Sequence, residues 1–89
     1  MSQADFDAAQ IKVKNLSTRP SNPDLLELYA LFKQGSDGDV HGKRPSRLDI
    51  RGRFKYDAWA KQKGTPKADA QAAYIALVKR LLTRDGKDW

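Results

Sequence analysis

The sequence predicts an all-α fold, a four-helix bundle with one long loop between the second and third helices. Three observations predict it. Apolar residues recur at three- and four-residue spacing in four separate segments. The gaps between those segments carry helix-stop and helix-start residues, among them Pro20, Pro23, Gly35, Gly64, Pro66 and Gly86. No segment shows strand alternation, low complexity or an internal repeat. The 89 residues suit one domain spanning 1–89.

The first helix is expected over 2–16. It opens on Ser2-Gln3-Ala4-Asp5, a short-acid variant of the capping box, and Phe6, Ala9, Val13 and Leu16 then share a face. Arg19-Pro20 ends the segment, because a residue before proline avoids the α region. The second helix is expected over 22–35, with Asn22 as N-cap, Pro23 at the first position and Gly35 as the stop. Leu25, Leu28, Tyr29 and Phe32 form its stripe.

Residues 36–50 carry Gly38, Gly42 and Pro45 without helical period. A loop this long in so small a domain points to function. The third helix is expected over 51–63, ended by Gly64. The fourth is expected over 66–85, with Thr65 as cap before Pro66 and Gly86 as the close. Ala70, Ala73, Tyr74, Leu77, Val78 and Leu81 give it a strong period, and Lys79, Arg80 and Arg84 suit its C-terminal dipole. Residues 87–89 read as a mobile tail.

Composition narrows the function. Without cysteine there is no disulfide, zinc-thiolate site or thiol nucleophile, and a reducing, cytoplasmic setting fits. The polar, acidic N-terminus has no apolar signal region, and the apolar runs are too short to span a bilayer. Seventeen Lys and Arg against eleven Asp and Glu leave a net charge of +6, which attracts polyanions in general. Catalysis is disfavoured. His41 is a lone loop histidine, and no metalloprotease, nucleophile-elbow or Walker-type motif is present. Asp37 and Asp39 flank Gly38, but the rest of a calcium loop is missing.

Rings and cations are interleaved instead. Tyr29 and Lys33 stand one turn apart, so a ring and an ammonium share a helix face, as a phosphate beside a heterocycle requires. In Arg51-Gly-Arg-Phe-Lys-Tyr-Asp-Ala-Trp59, Arg51, Lys55 and Trp59 form a row, with Phe54 and Tyr56 pointing elsewhere. Tyr74 lies on an apolar face, where its hydroxyl wants a partner. Spacing alone also allows the plain alternative, in which the rings are core and the cations are solvated.

The chain resembles the acyl-CoA-binding protein family from Ser2-Gln3-Ala4-Asp5-Phe6 to about Lys79. The resemblance is carried by Thr18-Arg19-Pro20-Ser21, Tyr29-Ala30-Leu31-Phe32-Lys33-Gln34, Gly38-Asp39, Arg44-Pro45 and Leu48-Asp49. Lys55-Tyr56-Asp57-Ala58-Trp59, Lys63-Gly64-Thr65-Pro66-Lys67, Asp69-Ala70 and Ala73-Tyr74-Ile75 complete it. The resemblance implies an up-down-down-up bundle. It also implies reversible binding of medium- and long-chain fatty acyl-CoA by a non-enzymatic carrier and pool former, with no cofactor.

By position, the resemblance places Tyr29, Lys33 and Lys55 at the 3′-phosphate and adenosine, and Lys14, Arg51 and Tyr74 in the rest of the head-group site. It places Phe6, Ala9, Leu26 and Ala30 around the acyl groove. It further implies a cytoplasmic monomer with transient contacts to membranes or acyl-CoA-using enzymes, and no nucleic-acid partner. The chain departs from the family's pattern at Tyr56, where Trp is usual, at Gln10, where Ala is common, and at Arg51, which replaces Lys. The loop at His41-Gly42-Lys43 and Ser46-Arg47 is more basic than the family leads one to expect, and Trp89 extends past the usual end. The competing readings are a small basic nucleic-acid-binding bundle using 51–59 as its contact helix, and a protein-interaction bundle using 42–55. Against the first, Asp49, Asp57 and Asp69 interrupt the basic surface.

Overall fold

The computed structural model describes residues 3–89. Ser2, and with it the expected capping box, lies outside them. The described chain forms α1 (Gln3–Lys12), a 3-10 turn (Val13–Asn15), α2 (Asn22–Asp37), α3 (Ile50–Ala60) and α4 (Lys67–Arg84). No strand occurs among the described residues, and no helix there is long and apolar enough to cross a membrane.

Helix directions follow from the residue pairs that bridge them. Gln71 of α4 donates to Gln3 of α1 at one end, and Ser17 after the 3-10 turn donates to Asp85 after α4 at the other, so α1 and α4 run parallel. Arg84 at the end of α4 reaches Asp24 at the start of α2, while Gln71 near the start of α4 donates to Gly35 near the end of α2. Those two helices are therefore antiparallel. Lys55 lies over Tyr29 and Lys33 over Trp59, so α3 runs in the same direction as α2. The order is up-down-down-up.

The apolar stripes meet in one core of Phe6, Ala9, Leu28, Leu31, Tyr74, Ile75, Leu77, Val78, Leu81 and Leu82, flanked by Val13, Leu16, Leu25 and Phe32. Each large aliphatic buried there stabilises the fold by about 1.5–3 kcal/mol. Helix α4 supplies six of these ten residues, which is why its period was the strongest in the sequence.

The helix ends correct several sequence expectations. Ser21, not Asn22, caps α2. Its backbone is extended and its Oγ accepts from the Asp24 amide at 3.3 Å, while Asn22 is helical and accepts from Arg19. Gly35 does not stop α2. It is a buried helical residue, and the helix runs on to Asp37 and closes at Gly38, whose φ of 80° suits glycine. Thr65 does not cap α4. Its hydroxyl bonds Gln62 instead, and Pro66 occupies the cap position. Helix α3 begins at Ile50, capped by Asp49, which accepts from the Gly52 amide at 3.0 Å, and it gives way to a turn after Ala60. Helix α1 tightens into its 3-10 turn rather than continuing to 16. Gly86 does close α4. It donates to Thr83 and Lys87 donates to Leu82, a Schellman ending.

The tail is also corrected. The Trp89 ring is held by Lys12 and Lys79, whose ammonium groups lie 4.0 Å and 4.9 Å from its centre, and its carbonyl accepts from Lys12. Lys87 donates to the Asn15 carbonyl and the Ser17 hydroxyl. Residues 85–89 thus clasp the end of the first helical segment to α4.

The long loop is pinned mainly to α3. Tyr56 donates to the Gly42 carbonyl at 3.0 Å, Arg53 to the Pro45 carbonyl at 3.0 Å, and Arg44 forks onto Asp57 through bonds of 2.9 Å and 2.8 Å. The Arg44 fork holds the Asp57 carboxyl below its ordinary range and pushes the guanidinium upward. Gln34, fully buried, donates to Asp39 and to the Thr65 carbonyl, and Asp39 also accepts from the Gly64 amide. The Gly64 bond, then the Gln34 bond, hold the Asp39 carboxyl down. The Gln34 Oε1 has no partner among the described residues.

Trp59 is the one buried residue of α3. Its indole nitrogen donates to the Gly38 carbonyl at 2.8 Å, so it fastens α3 to the end of α2.

Two predictions follow from these contacts. A methyl added at Gly35 would lie 2.9 Å from the Gln71 Cγ and 3.1 Å from the Phe6 ring, where helix propensity alone would favour alanine by about 1 kcal/mol. Gly35→Ala is expected to lower stability by about 1–2 kcal/mol, measured by urea unfolding, because overpacking outweighs propensity. A stabilised variant would contradict the close approach of α2 and α4. Trp59→Phe removes the Gly38 bond, and native-state amide exchange should then accelerate about tenfold across α3 while α4 is unchanged.

Candidate functional site

Helices α2 and α3 run side by side, and their shared seam gathers rings and cations. Tyr29 and Lys33 are one turn apart on α2. Lys55 and Trp59 are one turn apart on α3. The parallel alignment pairs them crosswise. The Lys55 ammonium lies 5.4 Å from the Tyr29 ring centre and the Lys33 ammonium 4.8 Å from that of Trp59. Two cations therefore stand over two aromatic faces within one seam, each attracted by the ring quadrupole. His41 meets Trp59 in a T-shaped arrangement, with ring centres 5.2 Å apart.

Lys33 has a second partner. Asp37, one turn further along α2, lies 2.5 Å from its ammonium, and that hydrogen bond holds the Asp37 carboxyl below its ordinary range. An anion arriving at Lys33 meets an ammonium that is already paired and partly exposed. The pair is exposed enough for solvent and salt to weaken it.

An open cleft of about 580 Å³ lies further along the same seam. Pro23, Leu26 and Ala30 line it from α2, and Phe54 and Ala58 line it from α3. Its walls are mainly apolar, and Glu27, Asp57, Lys61 and Gln62 complete the lining. Leu26 lies one turn before Tyr29 on α2, and Phe54 directly precedes Lys55 on α3. The cleft therefore adjoins the ring-and-cation group.

The expected site residues divide into those brought together and those kept apart. Tyr29, Lys33 and Lys55 meet. Arg51 stands exposed one turn before Lys55 on α3, and Lys14 stands exposed on the 3-10 turn. No hydrogen bond, ion pair or ring contact joins either to the group among the described residues. Tyr74 is buried, edge-on to Phe6 at 5.3 Å and tilted against Phe32 at 6.5 Å. Desolvation alone pushes its hydroxyl pKa upward.

The four expected groove residues separate as well. Leu26 and Ala30 line the cleft. Phe6 and Ala9 are sealed in the core, so neither faces an open groove. Gln10 folds back along α1 and donates to the Phe6 carbonyl. Tyr56 spends its hydroxyl on the loop at Gly42.

The residue missed on the seam is Phe54. Its spacing sets it off the Arg51, Lys55 and Trp59 row, yet it forms part of the cleft wall. Its signal was present in the spacing. Phe54 and Ala58 are one turn apart, beside the Lys55 and Trp59 row.

The chain matches the family model described as Acyl CoA binding protein over residues 3–78. It is 51% identical over 81 residues to acyl-CoA-binding protein homolog 1 of Caenorhabditis elegans, covering 91% of this chain and 94% of that one. It is 53% identical over 85 residues to the acyl-CoA-binding protein homolog of Manduca sexta, covering 94% of each. The crystal structure of acyl-CoA-binding protein 2 from Oryza sativa superposes with a TM-score of 0.90 at 39% identity, over 94% of this chain and 91% of that one. That of the protein from Moniliophthora perniciosa gives 0.88 at 35% identity, over 96% and 84%. With sequence and fold agreeing along nearly its whole length, the chain belongs to the acyl-CoA-binding protein family.

Proposed function

We propose that this protein binds medium- and long-chain fatty acyl-CoA thioesters reversibly and serves as an intracellular carrier and pool former for them. It does so without catalysis, as a cytoplasmic monomer that meets acyl-CoA-using enzymes or membranes transiently. The observation that carries the reading is the seam between α2 and α3, where rings and ammonium groups adjoin an apolar cleft. An acyl-CoA joins a flat adenine, several phosphate charges and an apolar chain, so its recognition calls for those three surfaces in one place.

In this reading Tyr29 offers a stacking face and a hydroxyl, while Lys33 and Lys55 neutralise phosphate as point charges. Arg51 and Lys14 add charge at longer range. Tyr74 shapes the site through packing, because its ring belongs to the core. The chain's methylenes enter between Leu26, Ala30 and Phe54, each contributing up to about 0.8 kcal/mol when fully buried. Charge selects the head group and burial selects the tail.

Calorimetric titration with palmitoyl-CoA, beside free CoA and palmitate, tests the reading. Tight one-to-one binding of the thioester with weak binding of both fragments is the expected result. Absence of palmitoyl-CoA binding by folded protein would overturn it. Lys33→Ala and Lys55→Ala should each weaken binding about ten- to a hundredfold with helicity retained, in line with charged hydrogen bonds of roughly 1.5–3 kcal/mol. Unchanged affinity in both variants would remove the seam from the head-group site.

A further inference from the structure

The chain's positive charge is concentrated in one short segment. Residues 43–55 hold six cations, Lys43, Arg44, Arg47, Arg51, Arg53 and Lys55, against the single carboxylate of Asp49. That segment accounts for +5 of the chain's net +6. Asp49 is engaged in capping α3, and Arg44 is paired with Asp57. Lys43, Arg47, Arg51 and Lys55 are exposed and face no carboxylate within ion-pair distance among the described residues.

The same segment exposes apolar surface. Leu48 is 94% exposed, Ile50 62% and Phe54 58%. Isolated exposed apolar side chains are ordinary, but these three lie within seven residues. On α3, Ile50 and Phe54 share one stripe at a spacing of four, and Arg51 and Lys55 share the adjoining stripe. Arg53 lies on the other flank of the apolar stripe. Arg47 and Leu48 form the turn that leads into the helix. An apolar stripe with cations on both flanks, at a helix start on an exposed loop, has the chemistry of an interfacial membrane segment. The alternating charge and apolar exposure do not match a phosphate-tracking surface, which needs no exposed leucine or isoleucine.

We infer that residues 43–55 form a docking surface for an anionic lipid bilayer. The cations meet lipid phosphates and carboxylates, and Leu48, Ile50 and Phe54 enter the headgroup boundary. Phe54 also lines the cleft between α2 and α3, so docking brings that cleft to the bilayer. Vesicle binding itself is independent of the acyl-CoA reading. Loading of the cleft from the membrane rests on that reading.

Cosedimentation of the full chain with vesicles, in the absence of acyl-CoA, tests the inference. One set of vesicles is phosphatidylcholine alone and the other is phosphatidylcholine mixed with phosphatidylserine. Binding is expected only with phosphatidylserine and should fall as salt is raised. The double variant Arg47→Glu/Leu48→Ser lies outside the cleft and the head-group residues. It should weaken vesicle binding about tenfold or more, at about fivefold for each unit of charge near the surface. Its helicity and palmitoyl-CoA titration should match the unaltered chain.

No binding to phosphatidylserine vesicles, equal binding by the double variant, or equal binding to phosphatidylcholine alone would each overturn the inference. So would capture by an acidic polypeptide such as polyglutamate with vesicles left unbound. Vesicle binding by protein that fails to bind palmitoyl-CoA would support the docking surface and overturn only the acyl-CoA reading.

Discussion

The indole of Trp59 donates to the Gly38 carbonyl while its ring lies beneath the Lys33 ammonium. Helix α3 contributes no other buried residue, and none of its residues belongs to the main hydrophobic core. Its alignment with α2 therefore depends on this anchor, on the loop bonds from Arg53, Tyr56 and Asp57, and on the contacts along the seam itself. Sliding α3 by one helical turn would separate Lys55 from Tyr29 and Lys33 from Trp59 together. The core formed by α1, α2 and α4 can persist without fixing that alignment. Stability and site geometry are thus held by different residues in this fold.

This division explains the charge arrangement. The core sits in α1, α2 and α4, where apolar burial dominates. The less deeply packed α3 exposes Ile50 and Phe54 beside Arg51 and Lys55, apolar and charged surface that the core does not cover. The long loop is not slack chain. Its hydrogen bonds to α3, together with the Gln34 and Asp39 contacts at its start, make it a brace for the seam. Tyr56 joins that brace through its hydroxyl, which donates to the Gly42 carbonyl.

Much of the fold was legible in the sequence because α4, and to a lesser degree α2, carry apolar residues at a clean helical period. Helix ends were read less well. Gly35 looked like a stop because glycine commonly ends helices, but here its missing side chain permits Gln71 and Phe6 to approach α2. Ser21 and Asn22 are both good caps, and only the backbone angles distinguish them. The Trp89 clasp was illegible because cation–π pairing across 10 to 77 residues leaves no local pattern. Within the seam, i and i+4 spacing put Tyr29 and Lys33 on one face of α2, and Lys55 and Trp59 on one face of α3. It could not show the crosswise pairing between helices, nor that Phe6 and Ala9 are sealed in the core while Phe54 lines the cleft.

The account's central claim is that one seam, between α2 and α3, receives both the charged head and the apolar chain. Mapping backbone amide chemical shifts by heteronuclear NMR during titration with palmitoyl-CoA tests this most directly. The account predicts the largest changes in two stretches, 26–33 on α2 and 51–61 on α3, with free CoA moving the Tyr29, Lys33 and Lys55 region but leaving Leu26 and Ala30 little changed. Changes centred instead on Leu16, Arg19 and Leu81, which line a separate recess of about 250 Å³ between the start of α2 and the end of α4, would contradict it.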